Sequence, residues 1–174
     1  MTKSALVSIA LLALVVTGSA QISSREQERL TKEVRKKLVT LPYYSVFDNL
    51  EYSMDGPNVT LLGQTARPST KDDAARAVKR IEGIGTVTNN IEVLPVSPND
   101  DRIRRAVYKA VYRLPGFEKY SNQPVPPIHI IVKNGNVTLV GAVGNQGDKE
   151  RVGITVNSVP GVFSVTNNLI VDKS

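Results

Sequence analysis

The feature that most constrains this chain is a duplication. NVTLLG at 58–63 returns as NVTLVG at 136–141, and 58–94 lies over 136–172 without a gap. Val78 then meets Val156, and EGIGTVTNNIEV (82–93) meets PGVFSVTNNLIV (160–171). Upstream, LTKEVRKKLVTLP (30–42) falls on IRRAVYKAVYRLP (103–115), with matching apolar positions and a shared closing Leu-Pro. The second copy is longer, its extra residues gathered in GFEKYSNQPVPP (116–127). Self-similarity of this kind implies one structural unit built twice.

Each copy reads as helix, strand, strand, helix, strand. Leu30, Val34, Leu38 and Leu41 recur every three or four residues, which predicts an amphipathic helix over 26–40, stopped near Pro42. A strand at 50–54 turns at Asp55-Gly56 and returns through 59–64, and 128–133 turns at Asn134-Gly135 and returns through 137–143. Asn-Gly between alternating strands favours a hairpin because both residues tolerate positive φ. Gly63 and Gly141 end the return strands, where the backbone bends or another element approaches closely. A second helix is expected from Ser69 or Thr70, with Asp72 and Asp73 in its first turn and an end near Gly83. Gly161 holds the matching place in the second copy, and a last strand is expected over 86–94. One local conflict arises at 148–159, where Gly153 and the β-branched run 154–156 favour strand. The ungapped match to KDDAARAVKR outweighs that propensity, so a helix is expected there too. Pro95 and Pro98 mark 96–100 as a short, stiff linker between units at 25–95 and 101–172.

The pattern resembles the BON (bacterial OsmY and nodulation) domain. The resemblance is carried by PNVTLLGQT (57–65), GNVTLVGAV (135–143), EGIGTVTNNIEV and PGVFSVTNNLIV, and covers almost all of the chain after residue 20. It implies an α+β fold of two tandem BON domains, each with helices packed on a small mixed sheet. It further implies a periplasmic address and binding to phospholipid, with links to osmotic stress or to assisting outer-membrane protein biogenesis.

Residues 1–20 read as a signal peptide: Lys3, an apolar run at 5–16, then the small residues Gly18, Ser19 and Ala20, with cleavage expected after Ala20. The run is short for a bilayer span, which takes ~20 residues. No cysteine is present, so no disulfide contributes to stability and no lipoprotein anchor of the cysteine type is available. The net charge is +6. For an exported chain this excludes nucleic acid as the expected partner and favours phospholipid head groups, cell-wall polymers or acidic proteins.

Chemistry is sparse. His129 is the only histidine and has no cysteine or second histidine to complete a metal site, so it reads as a partly exposed strand residue. The serines lack any other general base, and Asp72-Asp73 reads as a helix start. GIG at 83–85 stands between helix and strand, the reverse of a phosphate loop. The N-x-T sequons at Asn58 and Asn136 are by-products of the repeat. No enzyme and no cofactor are expected.

The more informative stretch is DRIRRAVYKAVYRLPGF (101–117). At 100° per residue Ile103, Val107, Ala110, Val111 and Leu114 share a core-facing stripe. Tyr108 and Tyr112 fall ~140° and ~180° from Ile103, beside Arg104, Arg105 and Lys109 and flanked by Arg102 and Arg113. Phe117 and Tyr120 in the longer loop extend this face. Rings among cations suit the head-group level of an anionic membrane. Packing of the two tyrosines against the first unit, or a merely solvated charged face, are the other readings. The expected function is peripheral binding of an exported, non-enzymatic envelope protein to anionic phospholipid, in envelope integrity or osmotic stress. The alternatives are a periplasmic chaperone or assembly factor for envelope proteins, and a cell-wall binder.

Overall fold

The computed structural model describes residues 23–123 and 125–172; the expected signal peptide at 1–20 lies outside them. The first unit comprises α1 (Ser24–Val39), β1 (Asn49–Asp55), β2 (Asn58–Thr65), α2 (Pro68–Lys79), β3 (Val87–Asn89) and β4 (Glu92–Val93). The second comprises α3 (Pro98–Tyr112), the short α4 (Glu118–Ser121), β5 (Ile128–Lys133), β6 (Asn136–Val143), α5 (Gln146–Asn157), β7 (Ser164–Asn167) and β8 (Ile170–Val171). In each unit the return strand is central. β2 pairs antiparallel with β1 and parallel with β3 and β4, and β6 repeats this with β5, β7 and β8.

The period-two pattern of the return strands sends alternate side chains to the helices. Val59 and Leu61 meet Leu30, Val34 and Leu38 of α1 and Ala74 and Val78 of α2. Val137 and Leu139 meet Ile103, Val107 and Val111 of α3 and Val152 and Val156 of α5. α5 forms despite its β-branched run because Val152 and Val156, one turn apart, are fully buried while Ile154 points outward. The expected last strand is broken in both units at the TNN sequence. Asn89 and Asn167 each donate to a helix carbonyl, that of Lys71 or Lys149, and accept from the amide two residues on. The repeated asparagine therefore ties strand to helix and interrupts the ladder.

Gly63 and Gly141 have φ of 97° and 113°, and a Cβ on either would run into the carbonyl of Asn49 in β1 or of Pro127 just before β5. The two hairpins differ. In the second unit Asn134 and Gly135 form the loop, both with positive φ (53° and 78°), as a type I′ turn requires. In the first, Asp55 pairs with Asn58, so the loop is Gly56-Pro57 and not Asp55-Gly56, with Gly56 at φ 56°. Proline fixes φ near −65°, so only the first loop position can be left-handed.

Three further expectations are corrected. α2 begins at Pro68, a residue or two early, with no acid in its first turn; Asp73 instead pairs with Arg76. Gly83 has φ of 89° but lies beyond the C-cap at Arg80, and Gly161 has φ of 92° in the matching loop. Pro98 begins α3 instead of resisting it, since a first-turn proline lacks only an N–H that has no helical partner.

Candidate functional site

Ser97 caps α3 by accepting from the Asp100 amide at 3.2 Å, and Asp100, buried, accepts from the amides of Asn134 and Gly135 at 2.9 Å each. The helix start is thus pinned to the second hairpin, and this fixes the helix's rotation. Ile103, Val107 and Val111 are buried, as their spacing requires. Arg102, Arg105, Lys109 and Arg113 are exposed. They fall within an arc of ~80°, and none forms an ion pair with a described residue; Arg102 donates to Asn99.

Arg104 does not belong to that face. It is 4% exposed, paired with Asp101 at 2.5 Å and donating to the Val132 carbonyl at 2.7 Å, while its buried Nε has no partner. Its place on the helix explains this: ~100° per residue puts it only ~20° from Val111. Phe117 is likewise corrected, being fully buried edge-on to Tyr120 at 5.2 Å with the Arg151 guanidinium 5.1 Å from its ring centre. Tyr120 is buried too, donating to Asp148 at 2.7 Å and accepting from the Gly144 amide at 2.8 Å. Burial pushes the Asp148 carboxyl upward, but hydrogen bonds from Lys119 and Tyr120 outweigh it and leave the pKa below its ordinary value. The inserted segment therefore completes the second core and does not extend a surface.

Tyr112, which its spacing placed opposite the core, is half-buried and packs against the second core. Its hydroxyl donates to the Ile128 carbonyl at 2.6 Å and accepts from the Ile128 amide at 3.3 Å, and burial raises its pKa. Tyr108 stays 36% exposed, tilted on Tyr112 at 4.8 Å and edge-on to Phe47 of the first unit at 6.2 Å. Of the rings assigned to a lipid face, only Tyr108 keeps substantial exposure.

What covers α3 is the segment between α1 and β1, which the sequence reading passed over. Asp48, 1% exposed, accepts from the Ser45 amide and hydroxyl, the Thr65 hydroxyl and the Ala66 amide at 2.7–2.9 Å. This fixes the loop so that Val46 enters the second core and its carbonyl accepts from Ile130 of β5 at 2.8 Å. Tyr44 tilts against His129, centroids 5.5 Å apart, with hydroxyl and Nε2 at 3.5 Å. Burial, reinforced by the Asp48 charge, pushes Tyr44 up to about 12. Burial also depresses His129, whose Nδ1 has no partner, even though Asp48 and nearby carbonyls act in the opposite sense. The signal for this loop was present in YYSVFD, an apolar and aromatic run outside any periodic element.

The result is a cleft of 390 Å³ where Tyr44, Val46 and Phe47 of the first unit meet Tyr108, Arg105 and Lys109 of the second. Its chemistry is apolar and aromatic inside and cationic at the rim. His129 faces a phenol, not a serine or a ligand set, and no helix of the described residues is long and apolar enough to cross a membrane.

A family model described as BON domain matches residues 26–95 and 99–173, and the chain belongs to that family. BON domain proteins are generally non-enzymatic and often periplasmic, and such membership suggests association with the cell envelope. No curated protein matches. Among solved structures, the C-terminal domain of CdsD, a structural protein of the type III secretion system of Chlamydia trachomatis, is 11% identical, with 82% of this chain and 97% of that chain covered and a TM-score of 0.33. A second CdsD structure is 12% identical, covering 83% and 92%, with a TM-score of 0.32. Likeness at this level carries no argument about function.

Proposed function

We propose that this BON protein is a non-enzymatic, exported envelope protein that associates peripherally with anionic phospholipid surfaces through the outer row of α3, in support of envelope integrity or under osmotic stress. The observation that carries the reading is the set Arg102, Arg105, Lys109 and Arg113, exposed on one helix face and unpaired with any described carboxylate, with Tyr108 beside them. Near an anionic leaflet each such charge contributes about 1 kcal/mol, so four supply about 4 kcal/mol, close to a thousandfold enrichment. The attraction decays within a Debye length and is screened by salt.

Vesicle co-sedimentation tests it. The full chain is expected to bind phosphatidylglycerol vesicles at low salt, to release at 0.5 M salt, and to ignore phosphatidylcholine. The double variant R105E/K109E is expected to lose binding, whereas Arg104→Met is not. Undiminished binding by R105E/K109E refutes the reading. A second reading, a periplasmic chaperone or assembly factor for envelope proteins, is favoured by a larger apolar cleft between the units.

A further inference from the structure

The loop from α2 to β3 contains EGIG at 82–85, and the matching loop from α5 to β7 contains PGVF at 160–163. In both units an arginine of the opening helix lies over the glycine of this loop. A Cβ on Gly83 would meet Nη2 of Arg29 at 3.2 Å, and one on Gly161 would meet Nη2 of Arg102 at 2.8 Å. The two arginines occupy the same place in the repeat, but their surroundings differ. Arg29 is paired with Glu26 at 2.6 Å and with Glu33 at 2.7 Å, and it donates to the carbonyl of Glu82 at 2.9 Å. The second unit has Asn99, Ala106 and Pro160 at those three positions, so it carries none of the three acids. Arg102 donates to the Asn99 side chain at 2.8 Å and pairs with no described carboxylate. Where the first loop ends in Gly85, the second ends in Phe163.

Phe163 is 84% exposed, yet its loop is firmly held. Its amide donates to the Gly135 carbonyl at 2.8 Å, while Val162 packs against the second core and donates to the Val159 carbonyl at 3.2 Å. Asp100 of α3 binds the amides of Asn134 and Gly135 in the same hairpin. The ring and the start of the α3 outer row therefore share one support. A lone exposed apolar side chain needs no explanation; this one stands at the Arg102 end of four exposed cations. From Arg102 to Arg113 that row runs about 16 Å along the helix, and the PGVF loop adds no charge of its own. The surface thus complements one that is anionic outside and apolar just beneath.

We propose that the 160–163 loop is the membrane-inserting element of the second unit, with Phe163 entering the boundary between head groups and acyl chains of an anionic leaflet. The α3 row rests on the head groups beside it. Apolar side chains of surface-bound proteins occupy that boundary while their basic residues stay at the phosphates. The inference rests on the lipid reading above and adds to it a contribution of another kind. The cations attract over a Debye length and are screened by salt, whereas burial of the ring acts only on contact and is not screened. The first unit, with Gly85 and a neutralised Arg29, has no equivalent of this device.

The chain has no tryptophan, so Phe163→Trp places a single reporter at the tip of the loop. On phosphatidylglycerol vesicles its emission is expected to shift to the blue and to be quenched by lipids brominated near the top of the acyl chain. Leu62→Trp, on the sheet face turned away from the helices of the first unit, is expected to show neither effect. R105E/K109E in the Phe163→Trp chain is expected to lose the shift together with the binding. Phe163→Ser should keep the parent's urea midpoint and the parent's salt dependence, and bind the vesicles about tenfold more weakly, as loss of one partly buried ring requires. Unshifted emission from a vesicle-bound Phe163→Trp chain overturns the proposal, as does parent-like affinity in Phe163→Ser; both leave the lipid reading standing. A parent chain that does not bind these vesicles brings down the two together. A blue shift that grows with protein concentration in the absence of lipid also overturns it, because a second copy would then cover the ring.

Discussion

Val46 is the point at which the two units are most simply separated. Its side chain is 8% exposed inside the second unit's core, yet its loop is held to the first unit by Asp48. Burying a valine stabilises by about 1.5–3 kcal/mol, the Ile130–Val46 hydrogen bond by about 1 kcal/mol, and the Phe47–Tyr108 ring pair by about 0.5–1.5 kcal/mol. The Lys133–Glu92 ion pair, half-exposed at 2.5 Å, adds less than about 1 kcal/mol. Val46→Asp deletes the first term and obliges the docked state to desolvate a carboxylate, another ~2 kcal/mol or more. The combined change of about 4 kcal/mol shifts the docking equilibrium roughly a thousandfold. Because the chain has no cysteine, a donor–acceptor pair can be placed at Ser53→Cys and Glu150→Cys, one on each unit. Energy transfer is expected to be high and uniform in the parent and to fall with a broadened distribution in Val46→Asp. Far-UV circular dichroism should be nearly unchanged, and thermal unfolding should separate into two transitions. Unchanged transfer in a folded Val46→Asp chain would refute the reasoning, because the loop would then not hold the units together.

His129 makes that interface sensitive to acid. Its burial favours the neutral ring, so the native state binds fewer protons than the unfolded chain in the window below the ordinary value of 6.5. Stability is therefore complete above pH 6.5 and is lost as pH falls from there through the lower folded value; urea midpoints at pH 7.5 and 5.5 should differ in the parent and converge in His129→Gln, and an equal slope in both would exclude this histidine. Phe117→Ala is expected to cost about 3–5 kcal/mol, as a large buried ring does, and to leave the vesicle affinity of the folded fraction unchanged; a loss below 1 kcal/mol in a denaturant titration would contradict its placement in the core.

The architecture was legible wherever the two copies could be compared. The return strands, the glycines that close them, the Asn134-Gly135 turn and even the helix over Gly153 follow from the alignment, because a shared fold outweighs local propensity. Boundaries were read less well where one residue carries two meanings. Pro98 reads as a breaker but serves as a first helical residue, and Pro57 moves the first turn by one position. At the site, the helical wheel placed Arg102, Arg105, Lys109 and Arg113 correctly in water. It set Arg104 on the same outer face, although 100° per residue brings that residue to ~20° from Val111, and the structure buries it. It had no access to what lies over Tyr112 and Phe117. Those covers come from residues 44–47 and from the insertion, the two helix-to-hairpin connections, which differ in length and sequence between the copies, and periodicity is silent where there is nothing periodic.

Val46 also sets an order of events. The residue that completes the second core is encoded well before that core, in a loop already fastened by Asp48 to Thr65 and Ala66. A domain generally folds as it leaves the ribosome, N-terminal first. The earlier unit can therefore be finished and presenting Val46 while the later one is still being made. The dependence runs in one direction, so the first unit acts as part of the template on which its own duplicate closes.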